Sequence, residues 1–143
     1  MKMIFSIEAK KLYVQSSTFS GTYPASSGRG ECRNNNSSSC QKAEWQGPIP
    51  VGSYIIRSSD LSDPGVIGDL ARNTKGDWGD WRVRLIPSTG TNTFGRKNFF
   101  LHGGSTQGSA GCIDIGGGVT GSRETDLIKS MIMACNEVQL EVR

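Results

Sequence analysis

Short stretches of alternating apolar and polar residues, separated by long polar connections, set the expected architecture. Ile4, Phe5 and Ile7, then Leu12, Tyr13 and Val14, flank a charged turn at Glu8–Lys11 and predict a β-hairpin over residues 4–14. Gly47-Pro48-Ile49-Pro50-Val51-Gly52 reads as a turn that feeds a strand ending at Arg57. Trp81 to Ile86 alternates apolar and basic side chains at period two, the pattern of a half-buried antiparallel strand, and Pro87 ends it. Asn98–His102 carries the apolar run Phe99-Phe100-Leu101 and predicts the next strand.

Residues 123–136 predict the one clear helix. Ser122 is a suitable N-cap, Glu124 and Asp126 favour the first turn, and Leu127, Ile128, Met131, Ile132 and Cys135 form an apolar stripe. Val138, Leu140 and Val142 then alternate as a closing strand. Two long polar segments remain. Residues 16–47 read as irregular chain anchored by Phe19, Tyr23 and Trp45; residues 58–80 contain a turn at Asp63-Pro64-Gly65 and a short helical piece at 66–72. The expected fold is mainly β, mostly antiparallel, with one packed α-helix near the C-terminus. Residues 1–143 form a single domain in this reading, long enough to bury a core.

Composition narrows the function classes. Nineteen glycines and a 35% apolar content suit short strands and long loops better than a helical bundle. Sixteen basic and thirteen acidic residues leave a formal charge of +3, and the basic residues between 72 and 97 are interleaved with Asp69, Asp77 and Asp80. No basic tract is present to follow a phosphate backbone, so nucleic acid is disfavoured as a partner. No apolar run is long enough to span a membrane, and the N-terminal run is too short for a secretory signal peptide.

The chemistry concentrates at two positions. His102 is the only histidine, and ten residues later Cys112 sits among Gly108, Ser109, Ala110 and Gly111. A thiol beside an imidazole is the minimal equipment for covalent acyl transfer, because the ring can take the thiol proton. Small residues around the thiol let a carbonyl approach the backbone, which makes the Gly111 and Cys112 amides candidate oxyanion donors. Of the other cysteines, Cys32 and Cys40 flank a polar loop that a local disulfide can close, and Cys135 falls on the helix stripe as a small core residue. Zinc binding by Cys32, Cys40, His102 and Cys112 is the weaker reading, since no Cys-x-x-Cys pair is present. No cofactor or metal is implied.

His102-Gly103-Gly104, followed by Ser109-Ala110-Gly111-Cys112-Ile113, resembles the catalytic motif of the L,D-transpeptidase (YkuD-like) family. The segment Gly47–Ile56 resembles that family's upstream Thr-Pro-x-Gly-x-Tyr strand. The short spacer, Ser27-Gly28, Phe94-Gly95-Arg96 and Cys112-Ile113-Asp114 are similar to the branch found among bacterial type VI secretion effectors that target peptidoglycan. The resemblance implies a β-rich fold, Cys112 as nucleophile and His102 as base, with Gly103, Ser109 and Gly111 in the active-site and oxyanion turns. It implies peptidoglycan stem peptides as substrate, with acyl transfer to water or to an amine. For an effector it further implies delivery without a cleaved leader, action in the periplasm of a target cell, and a cognate periplasmic immunity protein as partner.

Two positions depart from the family pattern. Ala110 stands where the family has a second histidine, and Asp114 where it has Asn or Arg. Arg96 is then the candidate ligand for a substrate carboxylate, with Asp114 a second substrate-binding candidate. Either a backbone carbonyl or Asp114 can orient His102. A sortase-type enzyme is disfavoured by the ten-residue His–Cys spacing, and a peptidoglycan-binding module without turnover stands as the alternative from another class.

Overall fold

A computed structural model of the chain describes residues 1–62, 81–104, 110–117 and 122–143. The expected turn at 63–65, the helical piece at 66–72, and Ser109 lie outside the described residues. Among the described residues eight strands form one sheet: β1 (Lys2–Ser6), β2 (Lys11–Gln15), β3 (Ser20–Pro24), β4 (Gly52–Arg57), β5 (Arg82–Pro87), β6 (Phe99–Gly104), β7 (Ile113–Gly117) and β8 (Glu137–Val142). Their spatial order is β3-β2-β1-β8-β4-β5-β6-β7. Neighbours are antiparallel except β1 with β8 and β6 with β7, which are parallel. Beyond the end of β3, Ser26 pairs with Asp114 of β7 through two backbone hydrogen bonds of 2.9 and 2.8 Å. The two edges of the sheet therefore meet, and the sheet is nearly a barrel.

The strands form because alternate residues have one apolar interior to fill. Met3 and Phe5 of β1, Leu12 and Val14 of β2, Tyr54 and Ile56 of β4, and Val83 and Leu85 of β5 are all buried. So are Phe99 and Leu101 of β6, and Val138, Leu140 and Val142 of β8. In the first hairpin the inward set is Met3 and Phe5, with Ile4 only half-buried, because strand alternation permits only every second residue to face in. The Tyr54 ring meets the Phe99 ring edge-on at 5.9 Å, and its hydroxyl donates to the Pro50 carbonyl, fixing the turn before β4.

A five-residue helix α1 (Ser38–Lys42) lies within the polar segment. The long helix α2 (Arg123–Met133) starts at Ser122, where a reciprocal capping box with Thr125 satisfies two N-terminal amides. It ends three residues before the expected 136, and its buried face is narrower than the sequence stripe: Ile128 and Ile132 are buried while Leu127 is exposed. Two strands fall where the sequence predicts none. β3 runs through the polar segment 16–47 with only Tyr23 buried, and β7 begins directly after Cys112.

Candidate functional site

The parallel pairing of β6 with β7 builds the site. It sets Leu101 beside Ile113, facing the core, and His102 beside Asp114 on the opposite side. Cys112, the residue before β7, is thereby brought beside His102, where the thiol acts on the imidazole. Both residues are buried.

The imidazole is oriented by the backbone. His102 Nδ1 lies 2.5 Å from the carbonyl oxygen of Gly103. A carbonyl only accepts, so Nδ1 carries the proton, and Nε2 is left as the ring nitrogen able to take one. Burial alone would lower the His102 pKa. The Cys112 side chain, the Gly103 carbonyl and the Asp114 carboxylate outweigh it, so the pKa is raised above the ordinary value. A protonated ring beside the sulfur is the charge distribution that a thiolate nucleophile needs.

The Cys112 turn is anchored from the segment 26–49. Ser27 is fully buried; its Oγ donates to the Cys112 carbonyl at 2.5 Å and accepts from Ile49 N–H at 2.8 Å. Ser27 N–H donates to Asn34 Oδ1, and Asn34 N–H returns to the Ser27 carbonyl. Gly111 has φ +72°, and a Cβ there would lie 3.2 Å from both Arg96 Nη2 and the Phe99 ring, so both conformation and space select glycine. Gly111 N–H donates to the Gly47 carbonyl at 2.9 Å. Gly47 is equally confined, since a Cβ would come within 2.6 Å of the Ala43 carbonyl oxygen. Cys32 and Cys40 are joined by a disulfide, which closes the chain leading into α1.

Several candidate residues sit differently from their expected roles. Arg96 is buried, and its guanidinium donates to three carbonyls: Gln41 and Pro48 from Nη1, both at 2.7 Å, and Gly47 from Nη2 at 3.0 Å. This is a tie between chain segments rather than a solvent-facing carboxylate site. Burial lowers the Arg96 pKa, partly offset by Tyr54, Glu44 and Cys112, yet the guanidinium stays charged beside the thiol. Asp114 is buried beside His102, with Oδ1 accepting from Gly116 N–H, so it faces the imidazole rather than a substrate. The Gly111 amide is engaged with Gly47 and is not presented to an incoming oxyanion. Gly103 contributes the carbonyl that orients the ring. With Cys32 and Cys40 bridged, two ligands of the zinc reading are occupied. The sequence reading missed the anchoring roles of Ser27, Asn34 and Gly47; the Ser27-Gly28 pair and the turn beginning at Gly47 were the available signals.

Comparison with known proteins places this geometry in a family. The family model described as the Tlde1 domain matches residues 21–130, well over half the chain, and spans Ser27, His102 and Cys112. A search of curated protein sequences found no match. Among solved structures, that of Bd1075 from Bdellovibrio bacteriovorus superposes with a TM-score of 0.54 at 16% identity, covering 99% of this chain and 46% of that one. The chain spans less than half the length of that protein, and at this identity the likeness shows the fold alone.

Proposed function

The chain belongs to the Tlde1 domain family, a type VI secretion effector family, and from that membership together with the His102–Cys112 pair we propose that it is a cysteine acyltransferase acting on peptidoglycan stem peptides. The observation that carries the reading is the buried thiol–imidazole pair, adjacent through the β6–β7 pairing, whose ring is oriented by the Gly103 carbonyl. His102 holds the thiol proton while the Cys112 sulfur attacks the carbonyl of the residue preceding the terminal D-amino acid. The tetrahedral oxyanion accepts from the Cys112 N–H. As the C–N bond breaks, the imidazolium gives its proton to the departing amine, leaving a thioester on Cys112. Water, deprotonated by His102, then releases the shortened peptide as a carboxylate; a D-amino acid amine in its place gives an exchanged peptide.

The same reading assigns the chain to the periplasm of a target cell, delivered by the secretion machine and neutralised in the producer by a periplasmic partner. The Cys32–Cys40 disulfide suits an oxidising compartment. The test is incubation of the protein, with Cys112→Ala beside it, with peptidoglycan tetrapeptide fragments, with and without an added D-amino acid, read by mass spectrometry. Loss or replacement of the terminal D-alanine, abolished by Cys112→Ala, is the expected outcome. Intact fragments after incubation with the native protein would defeat the reading.

A further inference from the structure

A cleft of about 650 Å³ lies on the Ser26 side of the reactive pair, lined by Lys10, Pro24, Ala25, Ser26, Gly30, Arg33 and Asn34. Among the described lining residues two are cationic and none is acidic. The walls are fixed by backbone ties. The Lys10 carbonyl accepts from Ala25 N–H at 3.0 Å, which joins the β1–β2 turn to the chain leaving β3. Asn34 Oδ1 is occupied by Ser27 N–H at 3.1 Å, so the protons that its side chain can offer a ligand are those of Nδ2. The lining residues therefore carry an ammonium, a guanidinium and an amide NH2 group.

Its position relates it to the chemistry. Ser26, in the cleft wall, pairs across the sheet closure with Asp114, two residues beyond Cys112. One strand spacing across and two residues along put the cleft roughly 10 Å from the nucleophile, the reach of two to three extended residues. We propose that this cleft is a carboxylate subsite: it takes a free carboxylate of the peptide whose carbonyl Cys112 attacks, with Lys10, Arg33 and Asn34 as its ligands. The assignment rests on the acyltransferase reading for the identity of the peptide, but not for the chemistry of the cleft. Two exposed cations facing one anion give a screened, moderate preference rather than an absolute one.

Binding is measured on a Cys112→Ser background, which separates recognition from turnover. Isothermal titration compares a peptidoglycan tetrapeptide with its carboxylates free against the same peptide with them amidated, at low and high salt. The free form is expected to bind about tenfold more tightly at low salt, with the difference shrinking as salt rises. Lys10→Gln with Arg33→Gln on the same background, shown by thermal melting to be folded, should bind the two peptides equally. Lys10→Gln alone should lose part of the preference. Equal binding of both peptides to the Cys112→Ser protein, binding of neither, or a preference that survives the double substitution overturns the subsite. Turnover by the otherwise native protein is scored separately. Charge-selective binding without turnover would keep the subsite and remove the acyltransferase reading; turnover without charge selectivity would do the reverse.

Discussion

A carbonyl and a carboxylate both act on His102, and they do different things. Gly103 fixes which nitrogen carries the proton, while Asp114, one strand over, adds charge that favours the imidazolium. Because the protein has a single histidine, its titration is readable in isolation by NMR of the ring. The native ring should titrate above its ordinary value of 6.5, and Cys112→Ala should lower it by removing the first-named raising partner. Asp114→Asn should lower it less. Titration at or below the ordinary value in the native protein would contradict the paired geometry. A pKa raised on folding gives a stability contribution fully present below about 6.5 and lost as pH rises through the folded value. Thermal melts across that window should fall with pH in the native protein and less in His102→Gln. His102 and Cys112 were legible from sequence because a lone histidine and a thiol in a glycine-rich turn stand out chemically. The orienting carbonyl was not, since every residue has one.

At the scale of elements, the segment 16–47 is where sequence and structure part most. Its serine, glycine and asparagine content carries no period, so β3 was invisible, yet β3 gains order by pairing with β2 over five residues. β7 was hidden because Ile113-Asp114-Ile115 is too short to establish alternation beside so many glycines. α2 was legible from cap and stripe, but its last turn was not, since Ala134, Cys135 and Asn136 give no stop signal of their own. The segment's anchors include a disulfide and one buried hydroxyl. Removing the bridge with Cys32→Ser/Cys40→Ser should cost about 2.5 kcal/mol by loop-closure entropy, read as a lower melting temperature. The same variant should lose turnover, because the bridged chain carries Asn34 and Gln41, which hold Ser27 and Arg96. Unchanged melting on reduction would show that the loop is held by its hydrogen bonds alone. Ser27→Ala should cost roughly 1–3 kcal/mol by leaving the Cys112 carbonyl and Ile49 amide without their buried partner. Its turnover should fall mainly in kcat, since the nucleophile's placement rather than substrate contact is disturbed.

The whole molecule is organised by how the sheet closes. Sequence order separates the chain near Ser26 from Asp114 by most of the protein, and only the meeting of the sheet edges brings them together. The site is therefore a product of topology, which local pattern does not encode, and this is why Arg96 was misread as a substrate ligand. A guanidinium three residues before a strand looks solvent-facing in a linear sequence. In the folded chain it is enclosed by the carbonyls of Gln41, Gly47 and Pro48, and it shares the Gly47 carbonyl with the Gly111 amide beside the nucleophile. It holds the disulfide-bridged loop against the β6–β7 half of the sheet. The two roles predict different failures. As a tie, Arg96→Ala should lower stability by about 3 kcal/mol or more, since three carbonyls, two of them in buried hydrogen bonds, lose a charged donor, and turnover should fall with it. Arg96→Lys, whose point ammonium cannot reproduce the planar fork, should recover only part of both. Had Arg96 bound a substrate carboxylate, Arg96→Lys would raise KM while leaving the melting temperature near that of the native protein. A thermal melt and a Michaelis analysis of the two variants decide between these outcomes, and a large melting shift in Arg96→Ala accompanied by a smaller one in Arg96→Lys is the pattern the tie requires.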